Sequence, residues 1–422
     1  MAVHPNSTIS VIGGGLGGLI AAIEAAEAGM SVDLFDARSR LGGRAHSLGE
    51  PYVANLGPHA LYSSTTLWDW LVERGLQGRA TMPRSTRMAF RWKGSVGRIP
   101  PRAALPMLGL GRVTAPVDED LRSWATGRWG PDTAAILCGV AGPLTFDHDP
   151  GRLSAAFVVE RIQKILLRPV PTARYVAGGW SSLISALAGR AVELGVNIEL
   201  GASVDASGVS DLAAKGPVIV AVDPGGARRL LGDDAAPRAD RRVALLDVAL
   251  ERRRTDPYLI IDFDESIFST RPTAVIRDLA PRGEALVQMV VGMWPGESLD
   301  DAENRLEALL DAAMPTWRER MTWRRRSAPR EATGAVDLPG TTWRDRPTTT
   351  PAPGIWLAGD WVAAPGHLAE VSANSAIAAV AGAREGMPFS QGRAWSAARR
   401  SDAAADPCAR PPFRRPASPA EP

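Results

Sequence analysis

Several residue types are scarce in this chain. It has two cysteines, Cys138 and Cys408, far apart and in no Cys-x-x-Cys spacing. That excludes a disulfide scaffold and a cysteine metal cluster, and it suits a reducing, cytoplasmic setting. Lysine occurs only at Lys93, Lys164 and Lys215, so the positive charge is almost all arginine. With a formal net charge of +2 there is no bulk field to draw nucleic acid. Tyrosine occurs four times and never after Tyr258. No uninterrupted apolar run reaches the roughly 18 residues of a bilayer span, so any membrane contact is expected to be peripheral. The start, "MAVHPNSTISVIGGGLGG", lacks the basic leader and small-residue cleavage site of a signal peptide.

The 422 residues are too many for one simple core and predict more than one domain. "STISVIGGGLGGLIAAIEAAEAG" reads as strand, glycine turn and helix, with Leu16, Leu19, Ile20 and Ile23 on one helical face and Gly29 as the stop. "MSVDLFDA" is a second strand. Gly13, Gly15 and Gly18 spell G-x-G-x-x-G between strand and helix, flanked by Leu16 and Gly17. The first glycine permits the tight turn, the second lets a pyrophosphate approach the backbone, and the third lets the helix pack on the strand. The helix N-terminus then offers unpaired N–H groups to the phosphates. Asp36 ends the second strand 18 residues after Gly18, the position of an acid that hydrogen-bonds a ribose diol.

Further along, "RMAFRWKGSVGRIP" reads as a hairpin turning at Lys93-Gly94, and residues 118–168 as helices broken at "WGP" and "DHDPG". A helix after Gly178-Gly179, the strand "VNIEL" and the apolar strand "GPVIVAVDP" form a second α/β stretch, the last as expected of a buried parallel strand. Residues 242–292 alternate like strands, 299–313 read as a helix, and "GIWLAGDWV" is a final buried strand before a closing helix. The stripe on 155–168 and the apolar "AALPMLGLG" (103–111) fit either helix packing or an apolar entrance. "WRRRSAPR" (323–330) reads as a solvated strand edge. The composition of 387–422 is that of a disordered tail.

The stretch "RLGGRAHS" fixes the cofactor expectation. Asp36, Arg38, Gly42, Gly43 and Arg44 together resemble the D/E-x-R-x-x-x-G-G-R element of the FAD-dependent amine oxidase and phytoene desaturase superfamily. "RYVAGGWSSLISAL", "VNIELGASVDAS" and "GIWLAGDWVAAPGHLAEVSANSAIAA" are similar to that family's middle and C-terminal segments. The resemblance implies an α/β fold: a discontinuous Rossmann-like FAD-binding domain (1–60, 173–240, 336–386) with an inserted α+β substrate domain (61–172, 241–335).

It also implies non-covalent FAD. Gly42 and Gly43 would pass close to the cofactor and Arg44 would lie on its pyrophosphate. Ala37 and Arg38 would flank the ribose acid, and Val204 would meet the adenine. Gly57 and Pro58 would lie beside the flavin, Gly359 and Asp360 near the ribityl chain and pyrophosphate, and Leu368 and Ala369 at the pyrimidine side. His59, Tyr62 and His367 are the candidate catalytic or substrate-contacting residues; an unperturbed histidine would shuttle protons near neutral pH. Trp361 is expected either on the cavity wall or in the core. Trp343 and Trp361 are the candidate substitutes for the flavin-facing aromatics of amine oxidases, whose lysine has no counterpart after Lys215. No metal site is expected.

The function so implied is dehydrogenation or desaturation of a small or apolar metabolite by hydride transfer to flavin, with the electron acceptor open. Amine oxidation and non-redox flavin isomerisation are alternatives. A lipid- or prenyl-binding escort on the same fold is disfavoured, because the glycine motif, Asp36 and Gly-Gly-Arg are all intact.

Overall fold

The computed structural model describes residues 8–83, 87–237, 241–329, 333–334 and 336–386. The expected tail at 387–422, and Arg330 of the basic run, lie outside them. The chain begins β1 (Thr8–Ile12), α1 (Leu16–Glu27) and β2 (Ser31–Asp36). A five-stranded parallel sheet has the order Ile355–Leu357, Val218–Val220, β1, β2, Asn197–Leu200. Its strands come from three separate stretches of chain.

The helix α1 is apolar on nearly every face because it is covered on more than one side. It packs on the sheet, on the helix Gly179–Glu193 and on the closing helix Ala369–Glu385. Ile9, Val11, Leu19, Ile20, Ile23 and Leu34 are fully buried there; each such side chain contributes about 1.5–3 kcal/mol. On its remaining face, Glu24 and Glu27 accept from Arg74 and Glu24 also accepts from Trp70 Nε1.

A seven-stranded mixed sheet runs Met321–Ser327, Val243–Glu251, Glu284–Gly292, Phe268–Thr270, Leu259–Asp262, Met88–Trp92, Ser95–Gly97. The last two strands form the expected hairpin. Lys93 (φ 50°) and Gly94 (φ 77°) are both left-handed, which matches the twist of a two-residue hairpin. The Asp264 carboxylate caps both of their N–H groups.

The expected helical stretch is three helices, Leu121–Trp129, Pro131–Thr145 and Ala155–Ile165. Ala155, Val158, Val159, Ile162 and Ile165 are buried against the other two, so helix packing explains that stripe and an open tunnel does not. By contrast Leu105 and Leu108, in the 3₁₀ segment Arg102–Arg112, are exposed, and only Leu110 of that segment is buried. No helix among the described residues is long and apolar enough to cross a membrane.

The basic edge strand is not simply solvated. Its alternation sends Arg325 inward onto Asp247, which is wholly buried, while Arg324 and Arg326 pair with Glu303 on the helix Leu299–Ala313.

Candidate active site

The turn from β1 into α1 is built by close backbone approach. Gly13 has φ 106° and lies against the Ala221 carbonyl. A Cβ on Gly18 would overlap the Gly13 carbonyl oxygen, so the third glycine of the motif is a packing requirement. Gly15 is different: a Cβ there would meet no protein atom, because it points into open space. Gly15 is the N-cap of α1, without side-chain cap and with no acid in the first turn, so the helix N-terminus faces that space bare.

The space is a cavity of about 410 Å³. Four of the segments that the sequence brings to it hold most of the expected site residues. The first is the glycine loop, with Gly13, Gly15, Leu16 and Gly17 on the wall. The second is the end of β2, with Asp36, Ala37 and Arg38, followed by Gly42, Gly43 and Arg44. Gly42 bridges to Gly15, and its N–H donates to the Gly14 carbonyl at 2.8 Å, so the two glycine loops lie side by side. The third is Pro58, His59 and Tyr62. The fourth is Gly359, Asp360, His367, Leu368 and Ala369. Val204 also lines the wall. Gly18 and Gly57 do not; Gly57 (φ 112°) sits behind it, its missing Cβ directed at Leu245.

Two carboxylates organise the polar end. Asp36 accepts from the Gly14 N–H (2.7 Å) and the Arg38 N–H (2.8 Å), which fixes its position and leaves lone pairs for hydroxyl donors. Asp360 accepts from Arg44 (2.6 Å) and from the Gly334 N–H (2.8 Å), tying the loop after β2 to the loop after the last parallel strand. Next to it the Gly359 N–H donates to Ser375 Oγ on the closing helix.

The wall also carries Pro143, Phe146, Tyr62, Trp180 and Leu368. His59 packs edge-on to Trp180 at 5.1 Å. His59 Nδ1, Trp180 Nε1 and His367 Nδ1 are buried on this wall with no protein partner among the described residues. Bare N–H groups at a helix start, a glycine cradle and these orphaned polar atoms fit an elongated ligand with a phosphate-bearing end and a polar-edged ring.

Both histidines are held below the usual imidazole range. Burial, then Arg44, pushes His59 down to about 4. Burial, then Arg161, Lys164 and Arg346, pushes His367 down to about 2. Burial raises the Tyr62 hydroxyl, so it stays protonated. Each histidine is therefore neutral in the folded protein while it titrates near 6.5 when unfolded. Their contribution to stability is present above pH 6.5 and is lost as pH falls from 6.5 towards about 4. His59→Gln is expected to flatten the curve of unfolding free energy against pH in that window by about 1–2 kcal/mol, allowing for water at the cavity wall; an unchanged acid limb in urea melts would contradict the placement of His59.

Trp361 is fully buried beside Val218, Val220 and Leu357, its Nε1 donating to the Val222 carbonyl. Neither it nor Trp343, which carries Arg344 over its ring, lines the cavity, so they are not substitutes for flavin-facing aromatics.

Other wall residues escaped the sequence reading. Trp180 and Glu370 had a local signal, in the Gly178-Gly179 helix start and the acid of a helix first turn. Phe146 and Pro143 had none. Asn55 lies just outside the wall and holds it. Its Oδ1 accepts from Ser47 Oγ and the Trp180 N–H, and its carbonyl accepts from Gln288 and Arg325.

A family model described as an NAD(P)-binding Rossmann-like domain matches residues 11–73. No curated protein matches the sequence. Among solved structures, the chain is similar to an oxidoreductase from Methanosarcina mazei (TM-score 0.69, 16% identity, covering 88% of this chain and 99% of that one). It is similar to cyclohexylamine oxidase from Brevibacterium oxydans IH-35A (TM-score 0.66, 14% identity, 90% and 99%). It is also similar to a reduced UDP-galactopyranose mutase (TM-score 0.62, 14% identity, 89% and 95%). With its Rossmann-like parallel sheet and an N-terminal stretch that matches the Rossmann-like family model, the chain has the fold of these oxidoreductases and of the mutase.

Proposed function

We propose that the protein is an oxidoreductase that holds FAD non-covalently and dehydrogenates a small or apolar metabolite. The observation that carries this reading is one cavity whose wall holds both the glycine loop with Asp36 and the apolar side chains of Phe146, Tyr62 and Leu368. When bound, flavin supplies the capacity to accept a hydride from a substrate C–H bond.

The chain's own residues do the rest. The glycine loop and the α1 N-terminus would hold the pyrophosphate, and Asp36 the ribose hydroxyls. The Arg44–Asp360 pair also lies on the wall. Pro143, Phe146 and Leu368 put apolar surface on the same wall and would exclude water from a bound substrate. Neutral His59 and His367 and protonated Tyr62 offer hydrogen bonds that would orient a bound substrate. No cysteine among the described residues lines the cavity, in keeping with a cofactor held without a thioether link.

The likeness to a mutase supports a second reading, flavin chemistry without net redox. Amine oxidation receives less support: no lysine among the described residues lines the cavity, and Lys164 is engaged by Glu370. Anaerobic titration of the flavin-loaded protein with oxidisable compounds separates the first two. Bleaching by substrate, reversed by oxygen or a quinone, is the expected result. Turnover only after chemical pre-reduction, with no electrons consumed, would replace dehydrogenation by isomerisation.

A further inference from the structure

The segment Arg102–Arg112 turns apolar side chains outward. It is a run of 3₁₀ turns, in which residues three apart lie one above the other. One row, Ala104, Met107 and Leu110, faces in: Leu110 is fully buried, and the other two pack against its cluster. Another row, Arg102, Leu105, Leu108 and Gly111, is exposed throughout. Leu108 is 83% exposed and Leu105 61%, and Ile99, just before the segment, is 83% exposed.

Hydrogen bonds fix the segment in this orientation. Thr133 Oγ1 donates to the Ala103 carbonyl at 2.9 Å, and Gln163 Nε2 donates to the Leu110 and Val113 carbonyls at 2.8 Å. Turning the leucines inward would break these bonds and expose Leu110.

The charge around them has one sign. Arg98, Arg102 and Arg112 are exposed, and none forms an ion pair among the described residues. No acid occurs between Arg98 and Val117. Asp132, next to Thr133 on the supporting helix, is taken up by Lys93, and Asp118 pairs with none of the three arginines.

A lone exposed leucine needs no explanation, but three large apolar side chains within ten residues, framed by unpaired arginines, do. A second copy of the chain is a poor match. In a two-fold contact the basic patch would face itself, and three side chains fall far short of the roughly 800 Å² per partner of a stable interface. An anionic lipid surface matches both components, because acyl chains take up the apolar groups and phosphates the guanidiniums.

We infer that the segment Arg102–Arg112, with Arg98 and Ile99, is a docking surface for a bilayer bearing anionic headgroups, on which the protein rests without crossing it. Ile99, Leu105 and Leu108 enter the boundary between headgroups and acyl chains, and the three arginines meet phosphate oxygens. This docking adds a location to the proposed function and does not depend on it.

The test is flotation of the full-length protein with vesicles of phosphatidylcholine alone and of phosphatidylcholine with about one third phosphatidylglycerol. The anionic vesicles are expected to bind about tenfold or more tightly than the neutral ones, and less so as salt rises. Leu105→Ser with Leu108→Ser is expected to weaken that binding about tenfold and to leave Tm unchanged, since neither side chain is buried. Arg102→Gln with Arg112→Gln is expected to remove most of the preference for anionic vesicles. The chain after residue 387 also carries arginines, and binding through them would survive both double variants. No binding to anionic vesicles, or binding unchanged in both double variants, overturns the inference. A dimer of the unmodified protein that the leucine substitutions dissolve, seen by light scattering, would overturn it in favour of a second copy. The readout needs no flavin, so failure of the cofactor reading leaves it intact.

Discussion

Gly15→Val is expected to give a folded protein that retains no FAD, whereas Gly18→Val is expected not to fold stably. The two glycines are three residues apart in one motif, yet they do different things. Gly15 has an ordinary φ of −73°, and a Cβ there projects into the cavity without touching protein. A valine fits the fold and fills the space where a pyrophosphate must approach the helix N-terminus. The cofactor should bind at least about a hundredfold more weakly, about 3 kcal/mol, with Tm changed by a degree or two in the cofactor-free protein. At Gly18 even one Cβ collides with the Gly13 carbonyl, so the strand and helix must separate. That costs about 3 kcal/mol or more, the upper range for a single core substitution. Circular dichroism melts paired with visible spectra distinguish the outcomes. Normal FAD content in Gly15→Val would contradict the assignment of the cavity.

The second large effect is expected at Arg325. Its guanidinium is the countercharge of Asp247, which has no exposed surface, and it also donates to the Asn55 carbonyl at 2.5 Å. Arg325→Met leaves a carboxylate buried without its partner, at a cost of about 3–5 kcal/mol near neutral pH. It also frees the segment that carries Pro58 and His59 to the wall. Burial already pushes Asp247 up to about 6 with Arg325 in place, and removal of the arginine raises it further. The folded protein then holds the proton that the unfolded chain, near 3.8, releases. The stability associated with that proton is fully present below about pH 4 and is lost as pH rises through 6 and beyond. The variant should therefore be most unstable above neutrality and recover part of its deficit on acidification. Urea midpoints at pH 5 and pH 8 measure this; a deficit that grew towards pH 5 would contradict it. Asp247→Asn with Arg325→Met, which removes both charges, is expected to recover much of the loss.

The glycine-loop part of the site could be read from sequence because its signals are backbone signals. Gly13, Gly18 and Asp36 act through turn geometry, close approach and position at a strand end, all set within thirty residues of one another. The apolar part could not. Phe146 and Pro143 reach the wall only because the helix Pro131–Thr145 folds over the cavity, and no local pattern carries that. Arg325 shows a signal that was present and outweighed. In a basic run the bland expectation is solvent, but the period of two along the strand turns alternate arginines in opposite directions, and the inward one finds Asp247. His59 and His367 show the reverse. Their positions on the wall follow from the motif resemblance, while their charge state depends on burial and on Arg44, Arg161 and Lys164, which arrive from elsewhere in the chain.

The most direct test of the central claim is to release the cofactor of the purified protein by heat and identify it, alongside a visible spectrum of the intact sample. The account predicts the two-banded absorbance of oxidised flavin and FAD in the supernatant, close to one per chain, with none left on the denatured protein. Release of a nicotinamide dinucleotide, or a protein that takes up no FAD on incubation, would contradict it.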